Sequence, residues 1–160
     1  MTDDGPLESA TSGLREIILA GEQYRHVVAN YLGLTISESQ AVSYLFSRGA
    51  MGQSHLGEAL GFNTSSTTAL VDRLERNSIA ERIADPNDRR RSTIQLSKVG
   101  RKTVAASTGW IVHAFDNIDP AELSDLAITL HTLADDLRAR VAQIPEQTKP
   151  TAQSKPRRRR

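Results

Sequence analysis

Apolar residues recur at helical spacing over most of this chain and alternate with polar residues over one short stretch. From Leu7 onward, Leu14, Ile17, Ile18, Tyr24, Val28, Tyr31 and Leu32 trace one face of a long first helix, with Gly21 as its weak position. A second helix is expected to open at Ser37-Glu38-Ser39-Gln40. There a serine hydroxyl can accept an orphan backbone N–H, and a glutamine three residues on can reach back. That helix runs through Val42, Leu45 and Phe46 and closes at Gly49. Gln53 to Leu60 predicts a short third helix with Leu56, Ala59 and Leu60 inward. The turn Gly61-Phe62-Asn63 and a fourth helix ending near Asn77 follow. Two short helices across a Gly-containing turn make a helix-turn-helix candidate.

Residues 79 to 96 change period. Ser92-Thr93-Ile94-Gln95-Leu96 alternates polar with β-branched or apolar residues, which predicts a strand, and Ile79 to Ala84 is a poorer one. Between them Asp85-Pro86-Asn87-Asp88-Arg89-Arg90-Arg91 favours a turn, so a charged hairpin is expected after the fourth helix. Ser97 can cap a fifth helix through Val104, Ile111, Val112 and Phe115. A sixth is expected to start at Asp119-Pro120-Ala121-Glu122 and carries Leu123, Leu126, Leu130, Leu133, Leu137 and Val141, close to a coiled-coil seam. Such a seam packs on another helix of the same chain or on a second copy, and the bracketing of the middle by the first and last helices suits a two-fold dimer. The fold class expected is mainly α with a small β-hairpin wing: a winged helix-turn-helix with six main helices, the terminal ones forming a dimerisation region.

Length and composition narrow the rest. The 160 residues amount to about one domain. The expected division is a disordered leader over 1–6, one domain over 7–144 and a disordered basic tail over 145–160. No apolar run is long enough for a membrane span, and the leader does not form a secretory signal, so a cytoplasmic location is expected. The chain has no cysteine, which excludes disulfides, zinc-thiolate sites and thiol chemistry. His26, His55, His113 and His131 fall on different predicted helices without a paired ligand spacing, so no metal or other cofactor is expected. No nucleophile–base motif or phosphate loop appears, so the chain is not expected to be an enzyme.

The formal charge of +1 hides an uneven distribution. Residues 1–144 sum to −4 and residues 145–160 to +5, while residues 73–102 form a local island of +5. An uneven field of this kind matters to a polyanionic partner. The four terminal arginines could meet nucleic acid nonspecifically or remain a solvated tail. By helical phase Thr67, Leu70, Val71 and Leu74 of the fourth helix face inward, leaving Ser65, Thr68, Ala69, Asp72, Arg73 and Arg76 outward or flanking. Thr64 and Ser66 lie on the open first turn. Short hydroxyls and methyls there suit base edges and phosphates, though a Ser/Thr-rich start is also ordinary capping. Arg89, Arg90 and Arg91 on one turn repel one another in solvent and suit a narrow, negative minor groove, with Asp88 two positions before Arg90 to orient it.

These residues resemble the MarR (multiple antibiotic resistance regulator) family of winged helix-turn-helix transcription factors over Leu34 to about Arg101. The resemblance is carried by Leu60-Gly61, Leu70-Val71-Asp72-Arg73-Leu74-Glu75-Arg76, Asp85-Pro86-Asn87-Asp88-Arg89-Arg90 and Leu96-Ser97-Lys98-Val99-Gly100. It implies a winged region at about 34–101 flanked by dimerisation helices at about 7–32 and 102–144. It further implies a homodimer on a pseudo-palindromic double-stranded DNA operator, with Arg90 in the minor groove and the fourth helix as recognition helix. A repressor released by a small, often aromatic, effector is the family habit. Tyr24, Arg25, Tyr44, Trp110 and His113 are the candidate pocket residues, with plain core packing as the alternative. The chain departs from the family at Ser78, where glycine is usual, so the left-handed cap is either strained there or moved to Asn77. It also departs at Thr67 and Ala69. The competing reading is a winged-helix adaptor that binds proteins and has lost specific DNA binding.

Overall fold

A computed structural model of the protein describes residues 5–84 and 92–141. The expectations for the leader tip, the turn at 85–91 and the tail therefore lie outside the described residues. Two compact units divide the chain after Ala114. The first unit holds α1 (Pro6–Leu32), α2 (Ile36–Arg48), β1 (Met51–Gly52), α3 (Gln53–Leu60), α4 (Thr64–Arg76), β2 (Ala80–Ala84), β3 (Ser92–Leu96) and α5 (Lys98–Val112). A 3-10 turn over His113–Phe115 spans the division, and the second unit contains α6 (Leu123–Val141).

The core of the first unit is aliphatic. Leu56, Leu70, Val71, Leu74 and Ile94 are fully buried, joined by Leu34, Ala41, Val42, Leu45, Ile79, Leu96 and Val104, with Leu32, Tyr44, Met51, Leu60 and Phe62 packed around them. Each fully buried leucine contributes roughly 2 kcal/mol by removal from water. The expected strands pair antiparallel in the register Ala80↔Leu96 to Ala84↔Ser92. A third strand was not legible in the sequence: Met51 and Gly52 pair with Ile94 and Thr93, giving the order β1-β3-β2. Two residues show no alternation, and this strand exists because β3 offers a free edge.

Two helix starts differ from expectation. The N-cap of α2 is Thr35, not Ser37: its hydroxyl accepts the Glu38 N–H at 3.2 Å while the Glu38 carboxylate accepts the Thr35 N–H at 2.9 Å. Both T-x-x-E and S-x-x-Q are capping boxes in sequence. The earlier one wins because α1 ends at Gly33 (φ 66°) with Leu34 buried, so Thr35 is the first residue free to turn into a new helix. In the second unit α6 starts at Leu123. Asp119 instead closes a preceding turn, its carboxylate accepting the Ala121 N–H at 2.9 Å. Ser97 caps α5 as expected, accepting the Gly100 N–H at 3.0 Å. The Leu126 and Leu130 side chains of α6 are half-buried, and Leu123, Leu133 and Leu137 are more exposed.

Three helices of the first unit end alike, with paired backbone bonds that satisfy the last carbonyls. Leu34 N–H donates to Ala29 and Gly33 N–H to Asn30; Phe62 donates to Gly57 and Gly61 to Glu58; Ile79 donates to Leu74 and Ser78 to Glu75. The residue at the turn must adopt the left-handed region. Glycine does so at 33 and 61, whereas at the end of α4 it is Ser78, with φ 56°, while Asn77 remains at φ −86°. The cap is thus strained in place and not moved.

Ser78→Gly is expected to raise stability by about 1 kcal/mol, because the relief of the left-handed serine exceeds the added freedom of the unfolded chain. A higher urea midpoint at unchanged m-value checks it. Gly100→Ala has the opposite sign. A Cβ there would run into the Ile79 carbonyl, whose carbon lies 2.9 Å away, and the expected loss is about 3 kcal/mol in the same measurement.

Candidate nucleic-acid interface

The fourth helix is anchored through one face. Thr67, Leu70, Val71 and Leu74 are buried, matching the inward set expected from helical phase. Asn63 caps its start, the side-chain oxygen accepting the Ser66 N–H at 2.9 Å. Thr67, polar but 1% exposed, is satisfied by donating its hydroxyl to the Asn63 carbonyl at 2.9 Å. Thr64, Ser65 and Ser66 are exposed on the first turn, and Ala69, Asp72 and Arg76 are exposed further along the helix. This is an accessible helix start of the kind that enters a major groove.

The two flanks of α4 are not free in the same way. Thr68 is half-buried, donates its hydroxyl to the Thr64 carbonyl at 2.9 Å, and accepts from Gln53 Nε2 at 2.7 Å. On the other flank Arg73 Nε donates to Glu38 Oε1 at 2.8 Å. The Glu38 side chain is 5% exposed and Arg73 42% exposed, so a buried carboxylate grips the inner edge of a guanidinium whose outer edge reaches solvent. Arg76 Nε donates to the Asp72 carbonyl at 3.3 Å.

The wing is tied to the same helix. Arg82 on β2 donates through Nη2 to Asp72 Oδ1 at 2.7 Å and through Nη1 to Glu75 Oε2, and its backbone N–H donates to Glu75 Oε1 at 2.9 Å. Asp88, Arg89, Arg90 and Arg91 lie outside the described residues; β2 and β3, which carry that segment, are in place. Sequence reasoning did not assign Glu38, Gln53 or Arg82 to the site. The Thr35-x-x-Glu38 capping pattern could have flagged Glu38, while nothing in the spacing links Gln53 to Thr68, fifteen positions away.

Of the effector-pocket candidates, two meet at one cavity. Tyr24 and Arg25 of α1 line a space of about 390 Å³ with Val28, with Ser39, Ser43 and Phe46 of α2, and with Val104, Ser107 and Ile111 of α5. Tyr24 donates its phenol to the Ser107 carbonyl at 2.9 Å, and burial pushes its pKa up. Tyr44, Trp110 and His113 are not among the lining residues. Tyr44 packs on the core with the Arg48 guanidinium 4.9 Å from its ring centre. Trp110 meets Tyr31 edge-on at 4.8 Å. No group of three or more His, Cys, Asp or Glu suited to a metal ion occurs among the described residues. Nor is any described helix long and apolar enough to cross a membrane.

Glu38 sets a pH dependence. Burial acts to raise its pKa but is outweighed by the Thr35 N–H, the Arg73 guanidinium and the Thr35 hydroxyl, so the net value lies below the ordinary carboxylate range. A folded-state pKa below the unfolded one gives stability that is full above the unfolded value and is lost as pH falls through the folded one. Glu38→Gln is therefore expected to be less stable than the parent at neutral pH, by about 2 kcal/mol. The gap should close as pH falls below about 4. Urea titrations of both proteins from pH 7 to 3 check this; a gap independent of pH would contradict it.

Comparison with known proteins agrees with this geometry. Residues 34–92 match the model of the MarR family. A Bacillus subtilis protein named as an uncharacterised HTH-type transcriptional regulator, YcgE, is 41% identical over 81 residues, 51% of this chain and 53% of that protein. The chain thus spans about half the length of that relative. A second B. subtilis regulator of the same description, YsmB, is 29% identical over 62% of this chain and 70% of its own. Among solved structures, a MepR variant from a multidrug-resistant S. aureus isolate superposes with a TM-score of 0.68 at 20% identity, covering 80% of this chain and 96% of that one. A MarR family protein from Bacillus stearothermophilus gives 0.65 at 19%, covering 86% and 99%. At such identities these two likenesses concern the fold. Over residues 34–92 the chain is thus similar in sequence to the MarR family, and its fold is the winged helix-turn-helix of the solved MarR family structure it superposes on.

Proposed function

We propose that the protein is a transcription regulator that binds double-stranded DNA as a homodimer, with α4 in the major groove and the arginines of 85–91 in the adjacent minor groove. The observation that carries this reading is the exposed strip Thr64, Ser65, Ser66, Ala69 and Arg76, set between flanks fixed by Gln53 and Glu38. A rigid helix tip with short side chains can approach base edges closely. Similarity supports it: a solved S. aureus MepR variant of 22% identity and TM-score 0.55 is bound to an oligodeoxyribonucleotide. Thr68 and Arg73 take part from the flanks, Arg73 through its solvent-facing edge toward phosphate. Such a regulator acts in the cytoplasm, and by family habit it represses.

Exposed apolar faces support the homodimer. Ile17, Ile18, Val27 and Tyr31 of α1 are 47–66% exposed, and Trp110, Ile111 and Val112 of α5 are 42–56% exposed. A face of this size rarely stands in water on a monomer. The α1–α2–α5 cavity suits a small aromatic anion, with the Arg25 guanidinium on its wall and Phe46 and Ile111 as apolar surface.

With about four phosphates neutralised per protomer, log K against log salt is expected to have a slope near −7. Arg90→Ala should weaken a selected operator duplex about tenfold or more at unchanged circular dichroism. Absence of any gel shift at low salt with duplexes from the upstream intergenic region would favour the protein-binding adaptor. For the cavity, millimolar benzoate is expected to raise the melting temperature of the parent protein and to lower its DNA affinity. Arg25→Ala should lose both effects while still binding DNA.

A further inference from the structure

The hydroxyl of Thr68 has no proton left to give. Its single proton goes to the Thr64 carbonyl at 2.9 Å, and Gln53 Nε2 donates to its oxygen at 2.7 Å. A threonine hydroxyl has one proton to give, so it cannot donate to the O4 of thymine or to N7 and O6 of guanine without breaking a bond the protein already makes. Gln53 sits at the first position of α3, and Thr64 lies one turn earlier on α4, so both bonds hold the hydroxyl toward the protein. What the side chain has left is the γ-methyl and one acceptor lone pair, and the lone pair can meet only the amino groups of adenine or cytosine, not thymine or guanine acceptors. The next residue, Ala69, is exposed and also ends in a methyl with no polar atom. Thymine's C5-methyl is the one feature of the major groove that rewards a methyl.

We infer that Thr68 is a specificity-determining residue that selects thymine through its γ-methyl, its hydroxyl proton being committed to the Thr64 carbonyl and its oxygen bonded by Gln53. This rests on the DNA-binding reading above and names the base feature that reading leaves open. It reverses the usual expectation for a threonine on a recognition helix, because the proton of the polar end is bonded within the protein and the apolar end does the reading.

The test uses the full chain and a random double-stranded oligonucleotide library. Each thymine of the enriched duplexes is replaced in turn by deoxyuridine, which removes only the methyl. At one thymine per half-site the parent protein is expected to lose about fourfold in affinity, the worth of one buried methyl. Thr68→Val, which keeps the methyl and lacks the hydroxyl, should keep that ratio; Thr68→Ser, with the hydroxyl and no methyl, should bring it below twofold. Circular dichroism melts of both variants confirm that the fold is retained. A uracil effect absent from the parent, persisting in the serine variant or vanishing in the valine variant overturns the inference. If no duplex is enriched at all, the DNA-binding reading falls and takes this one with it. Enrichment without a thymine effect removes this one alone.

Discussion

The structure depends on how firmly α4 is held. A helix that reads bases must keep its side chains within a fraction of an ångström of their targets, and a single packed face leaves it free to roll. Here the roll is blocked on both sides. Gln53 fixes the Thr68 flank, Glu38 fixes the Arg73 flank, and Arg82 secures the C-terminal half from the wing. The hydrophobic face provides most of the free energy, and the three polar links provide the angle. Glu38 carries the most of the three, since a buried carboxylate is costly unless fully partnered, and it is partnered by its own helix start and by the helix it positions.

That double use makes α2 the connection between cavity and interface. Ser39, Ser43, Phe46 and Ser47 line the cavity on one side of α2, while Glu38 reaches Arg73 on another. Successive residues, 38 and 39, thus face the two regions. An occupant that binds one position of α2 better than another shifts that helix by no more than its differential affinity, and the same shift is imposed on the Glu38–Arg73 link. Tyr24 closes the far wall onto the α5 backbone, so the cavity lies between a wall tied by that bond and α2, the helix that carries Glu38 to α4.

The sequence made α4 legible because a single helix packed on one face obeys its period: the four inward residues follow from phase alone. The third and fourth helices, the β2–β3 pairing and the Ser97 cap were legible for the same reason, each being fixed by local chemistry. What was hidden depends on distant partners. β1 has no pattern of its own, and the choice between Thr35 and Ser37 is settled by where α1 ends. Asp119-Pro120 carries every sign of a helix start and makes only a turn. Tyr44 and Trp110 sit on the expected helices, but on faces that meet Arg48 and Tyr31 and not the cavity; an aromatic residue announces burial of surface without saying against what.

Charge counting from sequence misleads at this site in an instructive direction. The island over 73–102 counts Arg73 and Arg82 as available, yet each is committed to a carboxylate of the protein. The acids that seem to oppose DNA binding, Asp72 and Glu75, are the same ones that Arg82 neutralises, so the exposed face of α4 is less negative than its sequence. Arg101 likewise donates to the Leu96 carbonyl at 2.6 Å. Among the described bases of that island, Arg76, Lys98, Arg101 and Lys102 remain exposed on a helix–wing unit braced by internal pairs. Exposed ion pairs add little stability. In the proposed complex they would cancel charge where a carboxylate repels phosphate; in the structure they tie β2 of the wing to α4.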